Sequence, residues 1–130
     1  LLAMRLTEVA GASAYFLGGV VSYSNSAKVA LLGVEEEVLV KAGAVSPQCA
    51  LAMAQGVREA FKADYGLGIT GIAGPGGGSP DKPVGLVYIG LALPEGDPQV
   101  RRFLFRGSRQ GNRWSASEAA LELLLSVLPG

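Results

Sequence analysis

At 130 residues the chain holds one domain's worth of core and, by the same measure, one site. Its 11 basic and 11 acidic residues cancel, which excludes a general electrostatic attraction for nucleic acid or an anionic membrane, and no apolar run approaches the ~20 residues of a membrane span. One cysteine and no histidine exclude an internal disulfide, histidine-based nucleophile activation and a histidine metal site, so a hydrolase built on this sequence takes its base from lysine, a carboxylate, tyrosine or water.

The chain opens as the middle of an amphipathic helix, Leu1-Leu2-Ala3-Met4-Arg5-Leu6, with no cap before it, and the natural N-terminus is expected upstream. Gly11-Ala12-Ser13 breaks that pattern. The apolar, aromatic and β-branched run from Tyr15 to Tyr23 predicts a strand, with Gly18 and Gly19 marking a close approach to its backbone. Ser24-Asn25 predicts a helix start, the helix running to about Leu32 and ended by Gly33; Val34 to Ala42 predicts a second short helix stopped by Gly43. Ser46-Pro47, a cap followed by proline at the first helical position, opens a helix to about Lys62 whose Cys49, Ala50, Met53, Val57, Ala60 and Phe61 share an apolar face.

Tyr65 to Ile72 reads as a buried strand running into Ala73-Gly74-Pro75-Gly76-Gly77-Gly78-Ser79-Pro80, a segment that can be neither helix nor regular strand. Val84 to Leu93 and Gln99 to Phe105, joined by a Pro/Gly-rich turn, predict a hairpin. Ser108 predicts the cap of the last helix, with Trp114, Leu121, Leu124, Leu125 and Leu128 as its apolar face, either core or a dimer seam. The element order predicts a single α/β domain over residues 1–130: three α/β/α layers around a mixed, mostly parallel sheet.

Several residues carry candidate chemistry. Lys28 lies in the first turn of its helix, where the helix end disfavours a second cation by a few tenths to ~1 kcal/mol. It is therefore either a proton acceptor or a tolerated surface lysine. Tyr23, at the end of the predicted strand, is an oxyanion donor or proton relay, or a tyrosine packed at the sheet end. Thr70 ends a buried strand just before the glycine loop, a usual ligand position in α/β sheets. Gly74, Gly76, Gly77 and Gly78 present backbone N–H groups suited to an anion, or form a plain surface loop. Arg109, at a helix start, suits phosphate. Cys49 reads as a buried structural thiol, and Arg101 and Arg102 as surface residues.

Three segments taken together, Phe16 to Asn25 followed by Ala27-Lys28, then Gly43-Ala44-Val45-Ser46, then Thr70 to Gly78 followed by Lys82-Pro83-Val84-Gly85, resemble the CinA (competence/damage-inducible protein A) C-terminal domain family. The resemblance runs from end to end. It implies a cytoplasmic, frequently dimeric α/β/α domain that hydrolyses the carboxamide of nicotinamide mononucleotide to nicotinate mononucleotide and ammonia, with no metal or organic cofactor. It also implies Lys28 as general base, Tyr23 and Thr70 around the carboxamide, and Arg109 with the glycine loop around the phosphate. The partners implied are the small-molecule nucleotide, a second copy of the chain and an N-terminal nucleotide-processing domain in a longer protein, but neither nucleic acid nor membrane. The family begins with a strand and a Glu-Ser-Cys-Thr-Gly-Gly segment ahead of the helix that starts here at Leu1. That N-terminal strand is missing from this sequence, and the nucleophile is either Ser13, which matches a serine the family uses, or the serine of the upstream segment. Gly107-Ser108-Arg109 replaces a more usual glycine-aspartate-arginine and keeps the arginine. A non-catalytic nucleotide-binding module and a structural dimerisation domain stand as alternatives.

Overall fold

Three serines start the three helices that frame the molecule. Ser24, Ser46 and Ser108 each turn a hydroxyl oxygen onto a backbone N–H three residues on, accepting from Ala27, Cys49 and Gly111 at 3.1 Å. Each satisfies a donor that the first helical turn leaves without a partner. In the computed structural model, which describes residues 1–129, these helices are α2 (Asn25–Leu32), α4 (Pro47–Phe61) and α5 (Arg109–Val127). Shorter helices precede and separate them, α1 (Leu2–Thr7) and α3 (Glu36–Lys41), with one 3-10 turn at Ala12–Ala14. Gly33 ends α2 in the left-handed conformation, and α4 ends the same way at Lys62 with φ 51°.

The strands are β1 (Gly66–Gly71), β2 (Leu86–Ala92) and β3 (Gln99–Leu104), in spatial order β1-β2-β3. Both pairings are antiparallel, with Thr70 opposite Tyr88 and Tyr88 opposite Arg102. The expectation of a mostly parallel sheet is therefore corrected, and the cause lies in the predicted first strand. Residues 17–23 form no strand: among the described residues their backbone makes no bond to another backbone group, and Val21 and Tyr23 are 88% and 85% exposed. An extended run counts as a strand only beside a neighbour, and without this one no parallel pair forms.

Helices cover both faces of the sheet, as expected. On one face Gly66, Gly68 and Gly90 remove side chains so that α4 can lie directly on the strands; a Cβ at Gly90 would stand 2.4 Å from the Ala50 carbonyl oxygen. Cys49, Ala50, Met53 and Ala54 form the buried stripe of α4, whereas Ala60, expected on it, is exposed. On the other face Val87, Ile89 and Leu91 pack with Ala116, Ala120 and Leu123 of α5 and with Phe103 and Phe105. The apolar face assigned to α5 lies against this core only in part, through Leu124. Leu125 is 69% exposed and Trp114 is half exposed, its ring covered by the Arg5 guanidinium 3.9 Å from the centroid. The inner stripe is instead Asn112, Ala116, Ser117, Ala120 and Leu123. Small residues there let the helix approach the sheet, which hydrophobicity alone does not reveal.

Candidate active site

The side chain of a helical residue leans toward the helix N-terminus. Lys28, in the first turn of α2, therefore reaches back past its own cap, where its Nζ donates to the Ser22 carbonyl at 2.7 Å. Lys28 is only 6% exposed. Among the described residues the ion pairs are Arg5–Glu118 and Lys41–Glu37, so this buried lysine faces no carboxylate. A buried cation without a counter-charge is costly, which makes Lys28 the least ordinary charged group in the fold.

The turn between α3 and α4 organises the groups around it. Its consecutive carbonyls are each taken by a side chain: Ala42 O accepts from Lys82 Nζ at 2.7 Å, Gly43 O from Ser46 Oγ at 2.8 Å, and Ala44 O from Thr70 Oγ1 at 2.7 Å. Gly43 has φ 85°, a conformation that favours glycine, and a Cβ there would sit 2.8 Å from Lys82 Nζ and displace that ammonium. Cys49 opens α4 beside this turn and is fully buried. Burial pushes its thiol above the ordinary cysteine range, while the charges of Lys28 and Lys82 pull the other way. The thiol is therefore an inert proton-bearing neighbour, as expected for a structural cysteine, and both ammonium groups lie within electrostatic reach of one sulfur.

The glycine loop leaves β1 between two backbone bonds, Ile72 N–H to Leu86 O and Gly85 N–H to Ile72 O. Its first carbonyls are held by α5. Asn112 Nδ2 donates to Ala73 O at 3.0 Å, and Arg109 Nη1 donates to Gly74 O at 2.9 Å. Asn112 is itself buried, and its Oδ1 accepts from the Gly107 N–H at 2.9 Å. The far end of the loop is tied across the molecule by Lys82. Between these anchors Gly76, Gly77 and Gly78 are exposed, with the Gly74–Pro75 peptide bond cis.

The structure sets Thr70 and the start of the glycine loop at the end of β1, with Arg109 against the loop, while Lys28 and Lys82 both act electrostatically on Cys49 at the start of α4. Ser13, in the 3-10 turn, and Tyr23, next to the Ser22 whose carbonyl holds Lys28, are exposed and make no side-chain hydrogen bond among the described residues. A hollow of about 290 Å³ lies elsewhere, between β3 and α5, walled by Phe103, Phe105 and Trp114 with Glu118 and Glu122 at its rim. It holds no lysine, serine–lysine pair or glycine loop, so the chemistry of the fold points to Lys28 rather than to this hollow. Among the described residues no three His, Cys, Asp or Glu side chains converge as metal ligands.

The sequence matches the family described as "CinA C-terminal domain" over residues 1–128. The chain belongs to the CinA C-terminal domain family. A relative from Moorella thermoacetica is 60% identical over 124 residues, 95% of this chain and 30% of its own length. A CinA-like protein from Desulfotalea psychrophila is 52% identical over 128 residues, covering 98% of this chain and 31% of its own. This CinA domain therefore spans less than a third of the curated relatives it matches. Among solved structures, the competence/damage inducible protein CihA from Agrobacterium tumefaciens superposes with a TM-score of 0.94 at 42% identity, covering 96% of this chain and 76% of that one. A CinA superfamily protein from Escherichia coli superposes at 0.92 and 31% identity, over 98% and 73%.

Two residues of the CinA domain's polar cluster escaped assignment from sequence. Lys82 stands in the quoted Lys82-Pro83-Val84-Gly85 segment, but its neighbour Ala42 is 40 positions away and nothing local announces the contact. Asn112 did leave a signal: it lies four, eight and eleven positions before Ala116, Ala120 and Leu123, a polar side chain on the buried stripe of a helix.

Proposed function

We propose that this CinA domain is an amidohydrolase that converts nicotinamide mononucleotide to nicotinate mononucleotide and ammonia. The observation that carries the reading is Lys28, buried, held by one carbonyl and facing no carboxylate, in a protein without histidine. In its unprotonated form it takes the proton of a serine hydroxyl as the oxygen attacks the carboxamide carbon and the C=O π pair moves to oxygen. Collapse of that adduct returns the pair and breaks the C–N bond, with Lys28 handing its proton to the departing nitrogen, which leaves as ammonia. Water then attacks the acyl-serine by the same route, releasing the carboxylate and restoring the hydroxyl. The serine is Ser13 or one upstream of Leu1. Tyr23 and Thr70 border the carboxamide. Gly74, Gly76, Gly77 and Gly78 offer the phosphate their backbone, and Arg109, with one N–H on Gly74 O, holds the loop while its other donors face the phosphate.

A second copy and an N-terminal nucleotide-processing domain belong to the same proposal; the greater length of the relatives supports the latter. The competing reading is a non-catalytic nucleotide-binding module, favoured by the exposure of Ser13 and Tyr23, whose hydroxyls make no hydrogen bond among the described residues. The deciding experiment measures ammonia release from nicotinamide mononucleotide by the protein in its full natural chain and by its Lys28→Ala variant. Deamidation that falls by about 10²–10⁴-fold in the variant supports the enzyme, the range expected for a lost proton-transfer group. A folded protein that binds the nucleotide and releases no ammonia leaves the binding module.

A further inference from the structure

Lys82 has no part in the mechanism above, yet its half-buried ammonium is held in place by a carbonyl, as that of Lys28 is. The chain carries its ammonium from the far end of the glycine loop to the α3–α4 turn, onto Ala42 O, two residues before the carbonyl that accepts from Thr70. Gly43, between them, is kept free of a side chain where that ammonium lies. Lys82 pairs with no carboxylate among the described residues, and one carbonyl occupies one of its three donors. Lys82 therefore stands at the turn that also receives Thr70, a residue the mechanism places beside the carboxamide.

We propose that Lys82 lies at the reacting end of the substrate, where its ammonium binds the oxygen that becomes negative as the carboxamide is attacked and then the carboxylate of the product. The inference rests on the amidohydrolase reading for the identity of the reacting group. It gives the two lysines separate tasks: Lys28 moves protons and Lys82 holds charge. A fixed donor aimed at an oxygen that gains charge only in the transition state acts on kcat, whereas a group on the distant phosphate acts on substrate and product binding alike.

The test titrates the full natural chain calorimetrically with nicotinate mononucleotide and, separately, nicotinamide mononucleotide under conditions that suppress turnover, in wild type, Lys82→Gln and Lys82→Arg, with melting temperatures recorded. The wild type is expected to bind the acid about tenfold tighter than the amide. Lys82→Gln should bring that ratio close to one with affinity for the amide retained, and Lys82→Arg should restore most of it. Where deamidation is present, Lys82→Gln should lower kcat about 10²-fold with KM nearly unchanged. Equal loss of both ligands in Lys82→Gln would overturn the proposal by moving Lys82 to the phosphate, and an unchanged ratio would overturn it outright. A wild type that binds acid and amide equally overturns it with no variant needed, even if Lys82→Gln does not fold. Because the ratio is read from binding, loss of the preference and absence of deamidation are separate results.

Discussion

Replacing Asn112 by alanine removes two hydrogen bonds at once and leaves Arg109 as the one α5 side chain still bonded to the glycine loop among the described residues. The amide of Asn112 holds Ala73 O at 3.0 Å and Gly107 N–H at 2.9 Å, so the substitution leaves one acceptor and one donor of the backbone to find water. Ala73 is half-buried and Gly107 exposed, which places each loss near the net value of a hydrogen bond, about 1–1.5 kcal/mol, rather than at the full cost of a stranded group. The sum is about 2–3 kcal/mol. A domain of 130 residues loses roughly 4 °C of melting temperature per kcal/mol, so the expected fall is about 8–12 °C. Thermal unfolding by circular dichroism measures it, and amide exchange in residues 73–78 should quicken beyond the global effect. Asn112→Asp separates the two bonds. The introduced carboxylate still accepts from Gly107 but opposes Ala73 O, and once protonated it can donate to that oxygen. Its pKa is thus raised in the folded state, and the variant should regain stability as pH falls through that raised value. A loss below ~0.5 kcal/mol in Asn112→Ala, the ordinary range for a surface change, would refute the claim that this residue holds the loop.

The close approach of α4 to the sheet predicts that Gly90→Ala, whose Cβ would stand 2.4 Å from Ala50 O, costs about 3 kcal/mol or more in urea unfolding. Gly19→Ala, with its nearest neighbours at 3.8 and 3.9 Å, should be close to neutral, and similar losses at both positions would contradict the packing argument. Cys49, fully buried with a thiol held above its ordinary range, should resist a disulfide reagent at pH 8 in the native protein and react at once in denaturant. Above the unfolded thiol value of about 8.5 the native state keeps a proton that the unfolded state has lost, so stability should decline with rising pH, and Cys49→Ala should flatten that slope. Rapid labelling of the native protein would place the thiol outside the core.

Local signals were legible wherever the physics is local. The serine caps, Pro47 at the first turn of α4, the left-handed Gly33 and the β2–β3 hairpin all stand where the sequence predicts them, because each depends on contacts within a few residues. Strand direction is not local. The run from Tyr15 to Tyr23 has the composition of a strand, but a ladder needs a second backbone at hydrogen-bonding distance, and composition says nothing of whether one is present. The face of α5 was legible only in part for a related reason. Its leucines mark hydrophobicity, whereas the side turned to the sheet is chosen by size, and Ala116, Ala120 and Asn112 fit where Leu125 does not.

The polar cluster follows the same division. Lys28 was visible because its position on α2 is fixed by a cap four residues earlier, and a helix delivers its first-turn side chain backwards in a known direction. What sequence cannot display is the receiving surface, a row of carbonyls at Ala42, Gly43 and Ala44 that carries no side-chain signature. These carbonyls collect Lys82 from 40 residues away and Thr70 from 26, and any residue type at 42 or 44 would present the same oxygen. Only Gly43 betrays the arrangement, since a side chain there would occupy the place of the Lys82 ammonium. A glycine in such a turn reads locally as a helix stop. Here the same atom-free space serves a second purpose, and a lysine far along the chain occupies it.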